Sequence, residues 1–164
     1  KEYNRDYVSL MPTNLYGPGD NFDLETSHVL PAMIRKFHEA KENNHAKVTL
    51  WGSGSPMREF LHVDDLDQAV LFALEHKLEE HLYNVGSGND LTIKALAEII
   101  QQLVGHKGEV IWDDTKPDGT PKKLMDSSKL NAKGWKSIIN LEKGIRTTYE
   151  WFLDHNESFK EIKF

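Results

Sequence analysis

The sequence predicts an α/β fold. Short apolar runs of strand length alternate with longer segments whose apolar residues recur at helical spacing. Two or three of the runs end directly in loops dense in Gly, Pro, Asn and Asp, as strands of an open parallel sheet do. Gly, Ser, Asp and Asn stand where such helices start and stop.

Tyr7–Met11 is apolar enough for an interior parallel strand, and Pro12–Asn21 (PTNLYGPGDN) reads as the loop after it. Ser27 is the expected N-cap of the first helix, with His28 at its first position and Pro31 tolerated in its first turn. Val29, Met33, Phe37 and Ala40 share one face of that helix; Arg35 and Lys36 fall largely on another.

Val48–Trp51 reads as a strand. A Gly52-Ser53-Gly54 turn leads from it towards Arg58 and a second run, Phe60–Val63. That stretch is either a hairpin with a surface Arg or a backbone turn beside a guanidinium suited to phosphate. Asp64 or Asp65 is expected to cap an amphipathic, mostly buried helix, Leu66–Glu75, which places Leu66, Ala69, Val70, Phe72 and Ala73 inside.

His81–Val85 is the next strand, closed by Gly86-Ser87-Gly88. Asp90 or Thr92 caps a helix over Ile93–Val104, with Leu96, Ile99, Ile100 and Leu103 as its stripe and Gly105 as its stop. Glu109–Trp112 is a strand, Asp113–Lys123 a polar loop, and Ser127 or Ser128 begins a short helix ending near Gly134. Asn140 caps the last helix, Leu141–Asp154, with Ile145, Thr148, Tyr149 and Phe152 inward; a polar tail follows.

At 164 residues the chain amounts to one domain or slightly more. A net charge of −6 argues against nucleic acid as the main partner, because phosphate backbones call for a basic surface. No apolar run approaches membrane-spanning length. Without cysteine there is neither a disulfide nor a thiolate metal site, which fits the cytoplasm. The eight His show no paired ligand spacing, so no metal site is expected. Three segments bring cations close to turns, Arg35/Lys36, Arg58 and Lys122/Lys123, and together they suggest an anionic small molecule such as a diphosphate.

Leu10–Phe22 (LMPTNLYGPGDNF), Ser27-His28-Val29-x-Pro31-Ala32, Trp51–Asp65 (WGSGSPMREFLHVDD) and Lys116–Lys123 (KPDGTPKK) resemble the GDP-L-fucose synthases, a family of extended short-chain dehydrogenases. The likeness runs from about Tyr7 to Phe152. The Arg-x-Phe-x-His-Val-Asp-Asp and Asn-Val-Gly elements are shared by many nucleotide-sugar epimerases and dehydratases. The first block and KPDGTPKK are narrower.

The resemblance implies an NADP-dependent C3/C5 epimerase and C4 reductase acting on a GDP-4-keto-6-deoxy sugar, in the cytoplasm, as a homodimer. Pro12, Thr13, Asn14 and Leu15 then line the nicotinamide end of NADP. His28 reaches both cofactor and sugar and is the acid of epimerisation. Lys36, Trp51, Arg58, Asp118 and Lys123 contact the GDP-sugar. The family's Gly-x-x-Gly-x-x-Gly loop, its Ser with Tyr-x-x-x-Lys and its catalytic Cys are not found in this chain. The expectation is therefore a C-terminal portion: 1–15 and 60–88 from the NADP-binding Rossmann domain, 16–59 and 89–164 from a smaller substrate lobe, inactive alone. Two other readings accommodate the residues: another extended short-chain nucleotide-sugar epimerase or dehydratase, or a nucleotide-sugar binding module without catalysis.

Overall fold

The structure, a computed structural model, describes residues 7–155. The expected polar tail beyond 155, and residues 1–6, lie outside the described residues.

Strand β1 (Ser9–Pro12) lies parallel to β5 (Leu82–Val85), with Pro12 opposite Val85. Met11 stays half-exposed, so β1 is parallel as expected but not interior among the described residues. Only Thr13 separates β1 from β2 (Asn14–Tyr16), a strand inside the stretch expected to be loop. At Thr13 the chain leaves one sheet for another: its N–H donates to Val85 O (3.0 Å) and its hydroxyl to Glu59 O (3.3 Å).

β4 (Met57–His62) organises the second sheet. Its C-terminal half runs parallel to β2, with Tyr16 opposite His62. Its N-terminal half has β6 (Asp90–Thr92) antiparallel and β8 (Lys122–Lys123) parallel to it. The sequence reading anticipated neither β6 nor β8; each is short and is held by a distant partner. β3 (Lys47–Trp51) pairs in parallel with β7 (Glu109–Asp113), not with β4, so Gly52-Ser53-Gly54 closes no hairpin.

Helix α1 (Val29–Glu42) buries Leu30, Pro31, Met33, Ile34, Phe37 and Ala40, while Val29 faces outward. Its N-cap is His28, not Ser27, one residue later than the side-chain preferences suggest, and the His28 ring makes no capping bond.

α2 (Val63–Glu75) departs furthest from expectation. Its N-cap is His62, whose Nδ1 accepts from Asp64 N–H at 3.2 Å. Asp65 is buried instead and accepts from Ile138 N–H (3.0 Å) and Ile139 N–H (3.1 Å), tying the connection into α5 back to α2. Val70, Leu71 and Leu74 are exposed, so the helix is amphipathic but not mostly buried.

α3 (Ile93–Val104) is as expected: Thr92 Oγ1 accepts from Ala95 N–H (3.1 Å), and Gly105 ends it in the left-handed conformation. A short α4 (Ser128–Ala132) precedes α5 (Leu141–His155), which Asn140 caps through Lys143 N–H at 2.9 Å. Ile145, Thr148, Tyr149 and Phe152 of α5 are buried.

Two cores result. The larger joins α1, α3, α5 and the β3–β7 pair around Phe22, Phe37, Leu96, Ile100, Ile145 and Phe152. The smaller, around Leu61, Ala69, Tyr83, Val85, Leu130 and Trp135, lies between β1, β5 and α2. No helix among the described residues is long and apolar enough to cross a membrane.

Candidate active site

The β1–β2 transition and the turn after it form one wall of a cleft of about 450 Å³. Thr13, Asn14, Leu15, Asp20, His28 and Val63 are among its lining residues. Asn14 Nδ2 donates to Glu59 O at 2.7 Å, which fixes the wall to β4. His28 enters because α1 begins there; its ring is exposed and not committed to the helix end. Four of the five expected cofactor-side residues, Thr13, Asn14, Leu15 and His28, thus share this cleft. Pro12 lies one residue before it, at the end of β1.

The expected substrate-side residues form a second group. Trp51, the last residue of β3, is 65% exposed. Lys36 Nζ and Lys116 Nζ stand 5.3 and 5.5 Å from its ring centroid, close enough for cation–π attraction. Lys36 Nζ also donates to Thr49 O (3.3 Å), and partial burial lowers its pKa. The Asp118 carboxylate accepts from the Ser53 hydroxyl (2.6 Å) and Ser53 N–H (2.9 Å), and both bonds hold its pKa down. Gly52 has φ +79° and its Cα lies against Asp118, so a side chain there would be strained twice over. Arg58 Nη1 donates to Thr120 O (2.6 Å) and Met57 O (2.7 Å), and Lys123 stands opposite Arg58 in the β4–β8 register. The loop 114–121 is therefore bound at both ends to β4 and the glycine turn. It chains Trp51, Asp118, Arg58 and Lys123 into one belt, and none of these residues lines the cleft that holds His28.

Three buried polar residues beside these groups escaped the sequence reading. Glu59 is 0% exposed; its carboxylate accepts from Gly88 N–H (2.7 Å) and Met125 N–H (3.1 Å), and the Gly86 Cα lies so close that a Cβ would strike it. A carboxylate directly before the apolar pair Phe60-Leu61, inside a stretch of strand length, was the available signal. Tyr16 and His62 pack edge to face at 5.3 Å. Burial, aided by the charge on Asp65, pushes the Tyr16 hydroxyl pKa far up, so it stays protonated. No group of three or more His, Asp or Glu side chains placed to hold a metal occurs among the described residues.

Burial lowers the His62 pKa, with Asp64 and Asp65 opposing it more weakly. The folded state thus keeps this ring neutral, in keeping with its Nδ1 accepting a bond, while the unfolded chain takes up a proton near the ordinary value of 6.5. The stability it contributes is complete above that value and is lost as pH falls below it. Urea midpoints of the intact protein should therefore drop between about pH 7 and pH 5, and less steeply in His62→Gln. His38, whose pKa burial also lowers, keeps its own share in that variant. Equal slopes for parent and variant would show that His62 is not such a group.

A parallel strand pair ending in a polar, ligand-sized cleft is the arrangement of an α/β protein of Rossmann type. Residues 1–86 match the model of the NAD dependent epimerase/dehydratase family. The chain belongs to that family.

Among curated relatives it is 54% identical to the probable GDP-L-fucose synthase 1 of Oryza sativa subsp. japonica, over 98% of this chain and 49% of the relative. It is 50% identical to the GDP-L-fucose synthase of Escherichia coli K12, over 98% of this chain and 53% of that one. The structure matches a GDP-L-fucose synthetase from Naegleria fowleri bound to NADP with a TM-score of 0.86 at 30% identity, covering 92% of this chain and 48% of that chain. The chain spans about half the length of the curated relatives it matches.

Proposed function

We propose that this chain is the substrate-gripping part of a GDP-L-fucose synthase, which converts GDP-4-dehydro-6-deoxy-D-mannose to GDP-L-fucose by C3/C5 epimerisation and C4 reduction. The observation that carries the reading is the single cleft uniting Thr13, Asn14 and Leu15 with His28. The names of the relatives at 50–54% identity support it.

The residues present fit the nicotinamide end of NADPH. Leu15 and Val63 offer apolar surface to a flat ring, and Asn14 and His28 offer polar groups at its edge. When bound, NADPH supplies the hydride that reduces the C4 ketone. Pro12, at the end of β1, borders that position.

The 4-keto group acidifies the protons at C3 and C5. His28, as imidazolium, returns a proton to carbon on the face opposite the one that lost it, and regains its own from water. Lys36, Trp51, Arg58, Asp118 and Lys123 hold the GDP moiety, the two lysines and the arginine as counter-charges to the diphosphate. Residues 1–15 and 60–88 belong to the cofactor domain, and 16–59 and 89–164 to the substrate lobe; the two cores follow that division in part, with Leu130 and Trp135 crossing into the smaller core and Phe60 into the larger. The whole enzyme is a cytoplasmic homodimer. No Tyr of this chain has a Lys four residues on, so the chain alone does not reduce the ketone.

The test is conversion of the 4-keto GDP-sugar to GDP-L-fucose by the full-length protein with NADPH, together with calorimetry of GDP binding. Lys123→Ala and Arg58→Ala should each weaken GDP roughly ten- to hundred-fold, since a charge-assisted contact to phosphate contributes about 1.5–3 kcal/mol. Lys36→Ala should cost less. Unchanged GDP affinity in both of the first two variants would reduce these cations to surface charges and refute the proposed grip.

A further inference from the structure

We propose that Asp20 is the carboxylate partner of His28: its open oxygen takes one N–H of the imidazole and so fixes which ring nitrogen faces the substrate. This rests on the reading of His28 as the epimerisation acid. Asp20 lines the same cleft as His28. It is held there by the turn 17–20, in which its own N–H donates to Gly17 O at 3.3 Å. Its two oxygens differ. Oδ1 accepts from Asn21 N–H at 2.7 Å, while Oδ2 is buried with no hydrogen-bond partner among the described residues. A buried acceptor left open calls for a donor. The ring of His28, exposed and free of any capping bond, is a donor lining the same cleft.

The electrostatics agree. Burial raises the Asp20 pKa, while the Asn21 N–H and the charge of His28 draw it down. Tyr16 is the other titratable group lining the cleft, and its hydroxyl donates elsewhere, to Leu141 O at 3.5 Å. Ser27 Oγ, next to His28 in sequence, is also buried without a partner and is the competing acceptor.

An imidazolium has two N–H groups. With one held by Asp20, the other points at the carbon being protonated. After transfer, the neutral ring keeps the proton bound to Asp20 and regains the lost one from water. Asp20 stays ionised throughout and acts as a positioning residue, as the carboxylate does in other carboxylate–imidazole pairs.

Two measurements on the full-length protein test this. The first needs no substrate: ¹⁵N-histidine spectra in the neutral-ring range report which nitrogen of His28 carries the proton. Asp20→Asn, which keeps the acceptor for Asn21 N–H, should redistribute the two tautomers; Ser27→Ala should not. A His28 signal unchanged in Asp20→Asn, or changed only by Ser27→Ala, overturns the proposal. The second is deuterium uptake at C3 and C5 of the GDP-sugar. Asp20→Asn should slow it at least about 10- to 100-fold, the loss seen when the carboxylate partner of a metal-bound imidazole is removed. In a His28→Gln background the same change should matter less than about two-fold, because residues acting as a unit are not additive. Multiplicative losses would mean that Asp20 acts on its own, against the proposal. A parent protein without any exchange refutes the assigned reaction, and the spectra still decide the pairing.

Discussion

Glu59→Ala is expected to be the most destabilising single change in this protein, by about 2–6 kcal/mol. Glu59 has no exposed surface, yet its carboxylate is the acceptor for Gly88 N–H and Met125 N–H. Its removal takes the acceptor from two part-buried donors, each loss costing up to about 1–3 kcal/mol, and opens a cavity beside Gly86 that adds to the cost. Glu59→Gln keeps one good acceptor and should cost roughly half as much, because its amide donor then faces an N–H. The measurement is urea unfolding of the intact protein at pH 7. A shift in stability of less than about 0.5 kcal/mol for Glu59→Ala, the range of ordinary surface substitutions, would mean that water already serves these groups.

His28→Asn should have the largest effect on chemistry. A positioned acid contributes about 10² to 10⁴ in rate, and epimerisation should slow by that factor. The belt proposed to hold GDP does not line the His28 cleft, so GDP affinity should change little. Mass spectrometry of the 4-keto GDP-sugar in heavy water, without NADPH, isolates the epimerisation half-reaction. Uptake at one carbon can persist in the variant, because the base that removes the proton can exchange it with heavy water and return a deuteron to the same face. Exchange at both carbons at the parent rate, and fucose formation at the parent rate once NADPH is added, would make His28 a structural residue of the α1 start.

The parts of the fold legible in the sequence are those whose signals are local. α3 was readable from end to end because Thr92 caps it, Gly105 ends it and its apolar stripe has the right period. α5 was readable from Asn140 and four inward residues for the same reason. β2, β6 and β8 were not, since each has two or three residues and exists only because β4 offers it an edge.

The caps of α1 and α2 were misread for a related reason. Residue preference favours Ser27 and the aspartates, but Asp65 is claimed by Ile138 and Ile139 from far along the chain, and His62 takes the end of α2. The outward turn of Val70, Leu71 and Leu74 was equally hidden: periodicity marks a face but not what covers it. In the site, His28 and the Thr13–Leu15 wall could be placed from sequence because they flank a strand end. Asp20 and Glu59 could not, because their roles depend on which backbone groups tertiary packing leaves within reach.

The arrangement of β4 also sets an order of events during synthesis. Met57 and Arg58 emerge from the ribosome long before Thr92 and Leu91, their partners on one side, and longer still before Lys122 and Lys123 on the other. At about 5–20 residues per second, that second edge waits several seconds for its strand. An unpaired apolar strand exposed for so long invites pairing between nascent chains. Arg58 and Glu59 occupy the waiting part of the strand, and two charges side by side there disfavour such contacts until the late-made segments supply Thr120 O to Arg58 and the Gly88 and Met125 N–H groups to Glu59.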